Sequence, residues 1–253
     1  MTNNDPAVDY SKVPAVTLLF WIVKIAATTL GETGGDALSM SLDLGYLVST
    51  AIFAAIFAVA VAAQIRAPRF NAWLYWLTII ATTTVGTTLA DFADRSLGIG
   101  YAGGSALLLI LLLGSLGIWY KALGTVAIDS VASPKSEAFY WITIMFSQTL
   151  GTALGDWTAD TQGLGYLGAM VIFGGLLLAL AAAYFWTRIS HTFLFWAAFI
   201  LTRPLGAVVG DFLDKPHENG GLELSRFTAS AVLLAFIVIC LLVFPQKPAQ
   251  RAH

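Results

Sequence analysis

The chain has 253 residues, of which 58% are hydrophobic and 11% charged, with a formal net charge of -2. Soluble domains carry roughly 25% charged residues, so an ordinary soluble domain is excluded. The lack of any basic stripe excludes a nucleic-acid partner. The single cysteine, Cys240, excludes an internal disulfide and a cysteine-built metal cluster.

The first stretch, MTNNDPAVDYSKVP, is polar and acidic, unlike a secretory leader, and no cleavage is expected. A polar-interrupted apolar segment follows near 14–38, and then a charge-free run at 46–63. The same alternation recurs as 72–93 with 105–120, 137–158 with 164–186, and 191–213 with 227–244. Each charge-free run approaches the roughly 20 apolar residues that cross a bilayer core. The runs do not alternate apolar and polar residues as barrel strands would. In lipid the backbone must then satisfy itself as helix. The expectation is an all-α membrane protein with eight transmembrane helices and a membrane-lipid environment. One linker, 121–137 (KALGTVAIDSVASPKSE), has clear turn and charge character and divides the chain into two halves of four spans.

Four segments share one frame: FWIVKIAATTLGETGGD (20–36), YWLTIIATTTVGTTLAD (75–91), YWITIMFSQTLGTALGD (140–156) and FWAAFILTRPLGAVVGD (195–211). A Gly follows each Trp by ten residues and an Asp follows it by fifteen. These are Trp21, Trp76, Trp141 and Trp196, then Gly31, Gly86, Gly151 and Gly206, then Asp36, Asp91, Asp156 and Asp211. Three copies close with Gly45-Tyr46, Gly100-Tyr101 and Gly165-Tyr166, whereas the fourth departs through DKPHENGGLELS. The copies recur 55, 65 and 55 residues apart, the longer step falling in the central linker. The repeats run over 20–66, 75–121, 140–188 and 195–243 of one polytopic domain, 1–253. Since each copy holds two spans, all four enter the membrane in the same direction, as parallel repeats with pseudo-symmetric halves.

Basic residues set the orientation. Lys12, Arg66, Arg69, Lys121, Lys135, Arg188, Lys247 and Arg251 fall on the termini and the even-numbered loops, against Arg95, Lys215 and Arg226 on the other side. Both termini are therefore expected in the cytoplasm, with the Asp motifs facing outward.

A two-span repeat with a fixed tryptophan, present four times, resembles a family of bacterial membrane-anchored proteins built from a fourfold repeat of unknown function. The resemblance covers residues 14–243 through the Trp, Gly and Asp frame. It implies the eight-span layout in a bacterial inner membrane, and no activity.

The tryptophans suit an interfacial belt. Fifteen residues of helix rise about 22 Å, which buries each Asp in the outer third of a roughly 30 Å core. The frame glycines, with Gly34-Gly35 and Gly155, are expected to break the odd helices early. Intramembrane ionisable groups are functional candidates by default. Glu32 shares a helix face with Asp36. Arg203 occupies the seventh place after its Trp, where the other copies have Thr28, Thr83 and Gln148, a polar layer near mid-membrane. Pro204 biases Arg203 out of helix and toward an unwound turn. Lys24 is expected to snorkel to the inner interface. Asp94, Asp160 and Asp214 are placed at the outer mouth.

The aspartates admit two readings. In the first they cap the following helices. In the second they converge, with Glu32, as oxygen ligands for a hard divalent cation. No enzymatic signature is present, and an intramembrane aspartyl protease fits four equivalent sites poorly. The leading expectation is a transporter or channel-like carrier for a small cation, best a divalent metal ion. Its site is Glu32, Asp36, Asp91, Asp156 and Asp211 with Arg203 as fixed cation, and its pathway is Thr28, Thr83 and Gln148. No cofactor is required, the metal being cargo. The alternatives are a proton-coupled exporter of small organic cations, its cavity lined by Phe92, Trp157 and Phe212, and a non-transporting scaffold. A homo-oligomer is compatible with any of these.

Overall fold

The structure is a computed structural model that describes residues 11–250, so the acidic segment before Ser11 and the basic Arg251 lie outside the described residues. Among these residues there are eight long α-helices and no β-strand: α1 (Leu18–Asp36), α2 (Gly45–Arg66), α3 (Ala72–Asp91), α4 (Tyr101–Leu123), α5 (Pro134–Asp156), α6 (Gly165–Trp186), α7 (His191–Asp214) and α8 (Arg226–Val243). Five of them, α2, α4, α6, α7 and α8, are long and apolar enough to cross a membrane. The other three are as long but fall short in hydropathy, because polar residues take up more of their length. α1 holds Lys24, Glu32 and Asp36, α3 a run of threonines, and α5 Glu137, Ser147 and Gln148.

The odd helices form a closed inner ring, α1 against α3, α3 against α5, α5 against α7 and α7 against α1. Each even helix packs outside the next repeat's inner helix: α2 on α3, α4 on α5, α6 on α7, and α8 back on α1. The outer helices leave rows of apolar side chains exposed, such as Val59, Ile110, Val171 and Leu178. The inner helices bury almost all their polar residues.

Glycine makes the ring this tight. A Cβ built on Gly31 would meet Thr83 Cγ2 at 2.3 Å, and one on Gly86 would meet the Gln148 backbone at 3.0 Å. On Gly151 it would meet Arg203 Cγ at 2.2 Å, and on Gly206 Thr28 Oγ1 at 2.1 Å. The tenth residue after each Trp thus receives the seventh residue of the next repeat, cyclically, and only a hydrogen fits there. The glycines expected to break the inner helices instead lie within unbroken α-helix and serve close approach.

The expected irregularity comes later. Directly after Asp36, Asp91 and Asp156 the helix widens into π-helical turns, Ala37–Ser41, Phe92–Ser96 and Trp157–Thr161. Each ends on the same wide hydrogen bond, Leu42 N–H to Ala37 O, Leu97 N–H to Phe92 O and Gln162 N–H to Trp157 O. The Gly-Tyr motif then has a plain cause. Gly45, Gly100 and Gly165 turn the chain into the outer helices with φ of 73°, 79° and 64°, a region costly for a residue with a Cβ.

The opposite end is closed by aromatic rings. Phe20 lies 5.4 Å from Trp76 and 6.1 Å from Phe195, Tyr75 lies 6.5 Å from Tyr140, and Tyr140 lies 6.1 Å from Trp196. Trp76, Trp141 and Trp196 are buried in this layer, which corrects the interfacial-belt expectation. The spacing fixed their depth but not the face of the helix they occupy. Beneath them the N-terminal strap, the central linker and the C-terminal segment interlock. Lys12 N–H donates to Val131 O, Ala15 N–H to Lys247 O, and Trp76 Nε1 to Gln246 Oε1 at 2.8 Å. Trp196 Nε1 donates to Val126 O, and Lys12 Nζ lies 2.6 Å from Glu137 Oε1.

Gly151→Ala should destabilise the folded protein by about 1–3 kcal/mol through overpacking. Gly114→Ala, where nothing lies within 4 Å, should be neutral or gain a few tenths of a kcal/mol. Unfolding curves of the two variants in one detergent check this, and equal stabilities would refute the interlock.

Candidate functional site

The ring's parallel inner helices bring the motif aspartates to one end of one axis. Three groups of buried carboxylates have oxygens within 4.8 Å of one another: Glu32 with Asp156 and Asp211, Glu32 with Asp36 and Asp91, and Asp36 with Asp211 and Asp214. Rotation about each helix, which spacing left open, therefore points all four aspartates inward. They do not cap helices, since Asp36, Asp91 and Asp156 make no side-chain cap bond to the turns they precede.

The carboxylates are clamped by Arg95, Lys215 and Arg226, the basic residues of the outer side. Arg95 bridges Asp91 and Asp156, at 3.1 Å each. Lys215 bridges Asp36 at 2.5 Å and Asp211 at 3.1 Å. Arg226 lies 2.9 Å from Asp214 and 3.9 Å from Asp36. Arg95 and Lys215 occupy equivalent places in the second and fourth repeats, so the clamp has two-fold rather than four-fold symmetry. Each lies four residues after its own motif Asp, and that helical ion-pair spacing was a readable signal. Two tyrosines of the Gly-Tyr motif steady Arg95, which donates to Tyr101 Oη at 3.1 Å and Tyr46 Oη at 3.3 Å.

One layer deeper, Arg203 Nη2 donates to Glu32 Oε2 at 2.9 Å, to Thr87 Oγ1 at 2.6 Å and to Thr152 Oγ1. Glu32, Thr87 and Thr152 are all the eleventh residue after their tryptophans, so one guanidinium from the fourth copy is held by the other three. Arg203 is helical, contrary to the expected unwound turn, because α7 runs unbroken through Pro204. Close packing holds this stretch, since a Cβ on Gly151 of α5 would fall 3.1 Å from Pro204 Cδ.

Thr28, Thr83 and Gln148 lie at the level of the Arg203 backbone, each over the glycine of the neighbouring inner helix. Thr28 Oγ1 donates to Ile25 O at 2.9 Å. Thr83 Oγ1 and both amide atoms of Gln148 are buried with no partner among the described residues. Lys24, expected to snorkel, is wholly buried, as are the residues at the equivalent place in the other repeats, Ile79, Ile144 and Phe199. Its ammonium lies 3.5 Å from Thr202 Oγ1 and 4.0 Å above the Phe199 ring. The aromatic layer stands between it and the helix starts, so the side chain has no route to water.

Above the aspartates lies a vestibule of about 530 Å³ lined by Met40, Arg95, Asp160, Tyr166, Lys215, Asn219 and Arg226. The first three of these and Lys215 are the nineteenth residue after the Trp in each of the four copies. Of the other outer carboxylates, Asp214 pairs with Arg226, while Asp94 is turned toward Gly104 of α4. Phe92, Trp157 and Phe212 do not line the vestibule, which corrects the expected aromatic cavity. Trp157 borders a separate pocket beside Gly100 and Tyr101, and Phe212 packs against the cluster that holds Tyr166 and Val208.

Comparison with known families matches the chain to a model described as Repeat of Unknown Function (DUF347) four times in tandem, over residues 19–70, 74–125, 139–190 and 194–244. No curated protein and no solved structure matches the chain.

Removing one partner of a buried ion pair leaves the other charge uncompensated, at a cost of about 3–5 kcal/mol. Arg203→Met alone should therefore be strongly destabilised, and the Arg203→Met/Glu32→Gln double variant should recover much of the loss. Additive losses in a double-mutant cycle would show that the pair is not coupled.

Proposed function

The chain belongs to the family built from this repeat of unknown function, and on that premise we propose that it is a membrane carrier for a small cation, best a divalent metal ion. The convergence of Glu32, Asp36, Asp91, Asp156 and Asp211 carries the reading. Ligand oxygens about 2.0–2.6 Å from a metal ion lie at most about 5 Å from one another, which is the spacing of the three carboxylate groups. Carboxylate and hydroxyl oxygens are the donors that hard divalent ions take in exchange for water.

In this reading all eight helices cross the membrane. α1, α3 and α5 have the required length, and their polar faces turn away from lipid. Intramembrane charges are tolerated where they face a bundle interior and pair. The vestibule is the external mouth, and the strapped aromatic end faces the cytoplasm. Arg95, Lys215 and Arg226 are consumed in ion pairs with aspartates. Among the described residues Arg66, Arg69, Lys121 and Arg188 form no ion pair, and they lie at the strapped end, where a cytoplasmic surface carries its excess of positive charge. The setting is a bacterial inner membrane.

The arriving cation competes with the chain's own. Arg95 and Lys215 border the vestibule, so each can swing into it when a metal ion takes its carboxylates. Arg203 would release Glu32 from below, remaining within the buried layer. Alternating access then requires the aromatic layer and its straps to part when the mouth closes. A second reading draws support from the clamps themselves. Each aspartate pair is already bridged by a guanidinium or an alkylammonium, and a small organic cation bearing either group would meet the same geometry.

Two measurements test this reading. Unfolding of the purified protein is followed against metal ions, alkylammonium and guanidinium ions, with gluconate as the only anion. The expected result is saturable stabilisation by one divalent ion, lost in folded Glu32→Gln and Asp156→Asn. Response to organic cations alone moves the assignment to the second reading, and no response removes both. In a Cys240→Ser background, a membrane-impermeant thiol reagent added outside cells should label Glu218→Cys and spare Asp129→Cys. The reverse pattern would invert the orientation.

A further inference from the structure

Below Glu32, the axis carries hydrogen-bond donors and positive charge that the protein does not use. Lys24 is wholly buried, and among the described residues no carboxylate pairs with it. Its contacts are a 3.5 Å approach to Thr202 Oγ1 and the face of Phe199. Thr202 precedes Arg203 on α7, which packs against α1, so the two basic side chains come from adjacent inner helices. Arg203 spends a single nitrogen, Nη2, on Glu32 and the two threonines, all toward the mouth. Among the described residues, its buried Nε and Nη1 have no partner. Nor have the Gln148 amide nitrogen, Ser147 Oγ and Thr83 Oγ1. All five of these residues are 0% exposed, and the Phe199 ring lies under the Lys24 ammonium.

Two basic side chains here have one carboxylate, Glu32, for a partner, and it sits on the outer side of Arg203; the Lys24 ammonium persists at this burial only where a ligand pairs with it. An unpaired buried cation is costly, and so is an unmet buried donor. Water could meet the donors but would leave the charge uncompensated. A metal ion is excluded from this layer by like charge. One class of ligand answers both deficits. We propose that the layer between Lys24 and Arg203 binds a small monovalent inorganic anion, of the halide class, held by the Lys24 ammonium, Arg203 Nε and Nη1 and the Gln148 amide.

The site does not depend on the cation reading of the outer carboxylates. Where that reading holds, the two are linked. An anion below Arg203 draws the guanidinium inward and loosens its hold on Glu32, so anion and cation favour each other's binding.

The test exchanges chloride or bromide for gluconate at constant ionic strength and constant sodium, without divalent ions, while unfolding of the purified protein is followed. Chloride and bromide should stabilise saturably, and Lys24→Met should abolish the response. Gln148→Glu supplies a tethered carboxylate among the same donors. It should be stable in gluconate and no longer respond to chloride. Coincident chloride and gluconate curves for the natural chain would overturn the proposal, as would an undiminished chloride response in Lys24→Met. Crystals grown in bromide give a readout that needs no variant. An anomalous peak in contact with Lys24 Nζ and an Arg203 nitrogen supports the site, and bromide found only elsewhere refutes it. Since the cation panel is run in gluconate and this one without divalent ions, either reading can fail alone.

Discussion

The rest of the molecule depends on one contact made four times, a side chain of one repeat lying against the bare Cα of the repeat before it. Inner helices that approach this closely leave no room for apolar filling between them, so their facing residues must be small or must satisfy one another. Lipid supplies no hydrophobic drive between helices, and close backbone approach with van der Waals packing takes its place. The rows of buried threonines on α1 and α3 fit this setting, because their hydroxyls bond back to carbonyls of the preceding turn, as Thr78 does to Leu74 O and Thr84 to Ile80 O. A polar residue is thereby buried without needing a partner across the interface.

Within that ring, charge obeys a second constraint. Carboxylates brought together in a medium of low dielectric repel and lose their hydration, and each of the four motif aspartates is met by a basic side chain. The basic residues come from the mouth, where α3 and α7 end, and divide the four acids into two pairs. Arg203 and Glu32 answer each other one layer down. The pattern leaves Lys24 as the exception, the one wholly buried cation of the inner ring with an aromatic face in place of an acid.

What the sequence made legible was translation along the axis. The Trp, Gly and Asp frame placed the aromatic layer, the polar layer and the carboxylates at common depths, and the charge-free runs marked the outer helices. Rotation about each helix was not legible, since a frame with equal spacings is silent about which way its residues face. Three outcomes follow from that gap. Trp76, Trp141 and Trp196 turned inward rather than to an interface, Lys24 turned inward, and Trp157 and Phe212 turned to surroundings other than the vestibule. Local rules also lost to tertiary ones at Pro204, where packing against Gly151 holds a helix that the dipeptide disfavours. The role of Arg95 and Lys215 was within reach, because an Asp and a cation four residues apart on a helix meet.

Each outer helix lies on the next repeat's inner helix, and the last returns to the first. No repeat can cover its own polar helix, so a single two-helix unit has no closed form, whereas four units in a circle do. Such a circle could be made from four identical short chains, but every position would then be occupied four times over. A guanidinium on the axis would bring three more against it, and lysines would replace Ile79, Ile144 and Phe199 at the places equivalent to Lys24. Carrying the four units in one polypeptide removes that restriction. It lets a symmetric ring hold a single arginine, a single glutamate and a single lysine, and so gives the axis a polarity across its width that no homotetramer of the same fold could have.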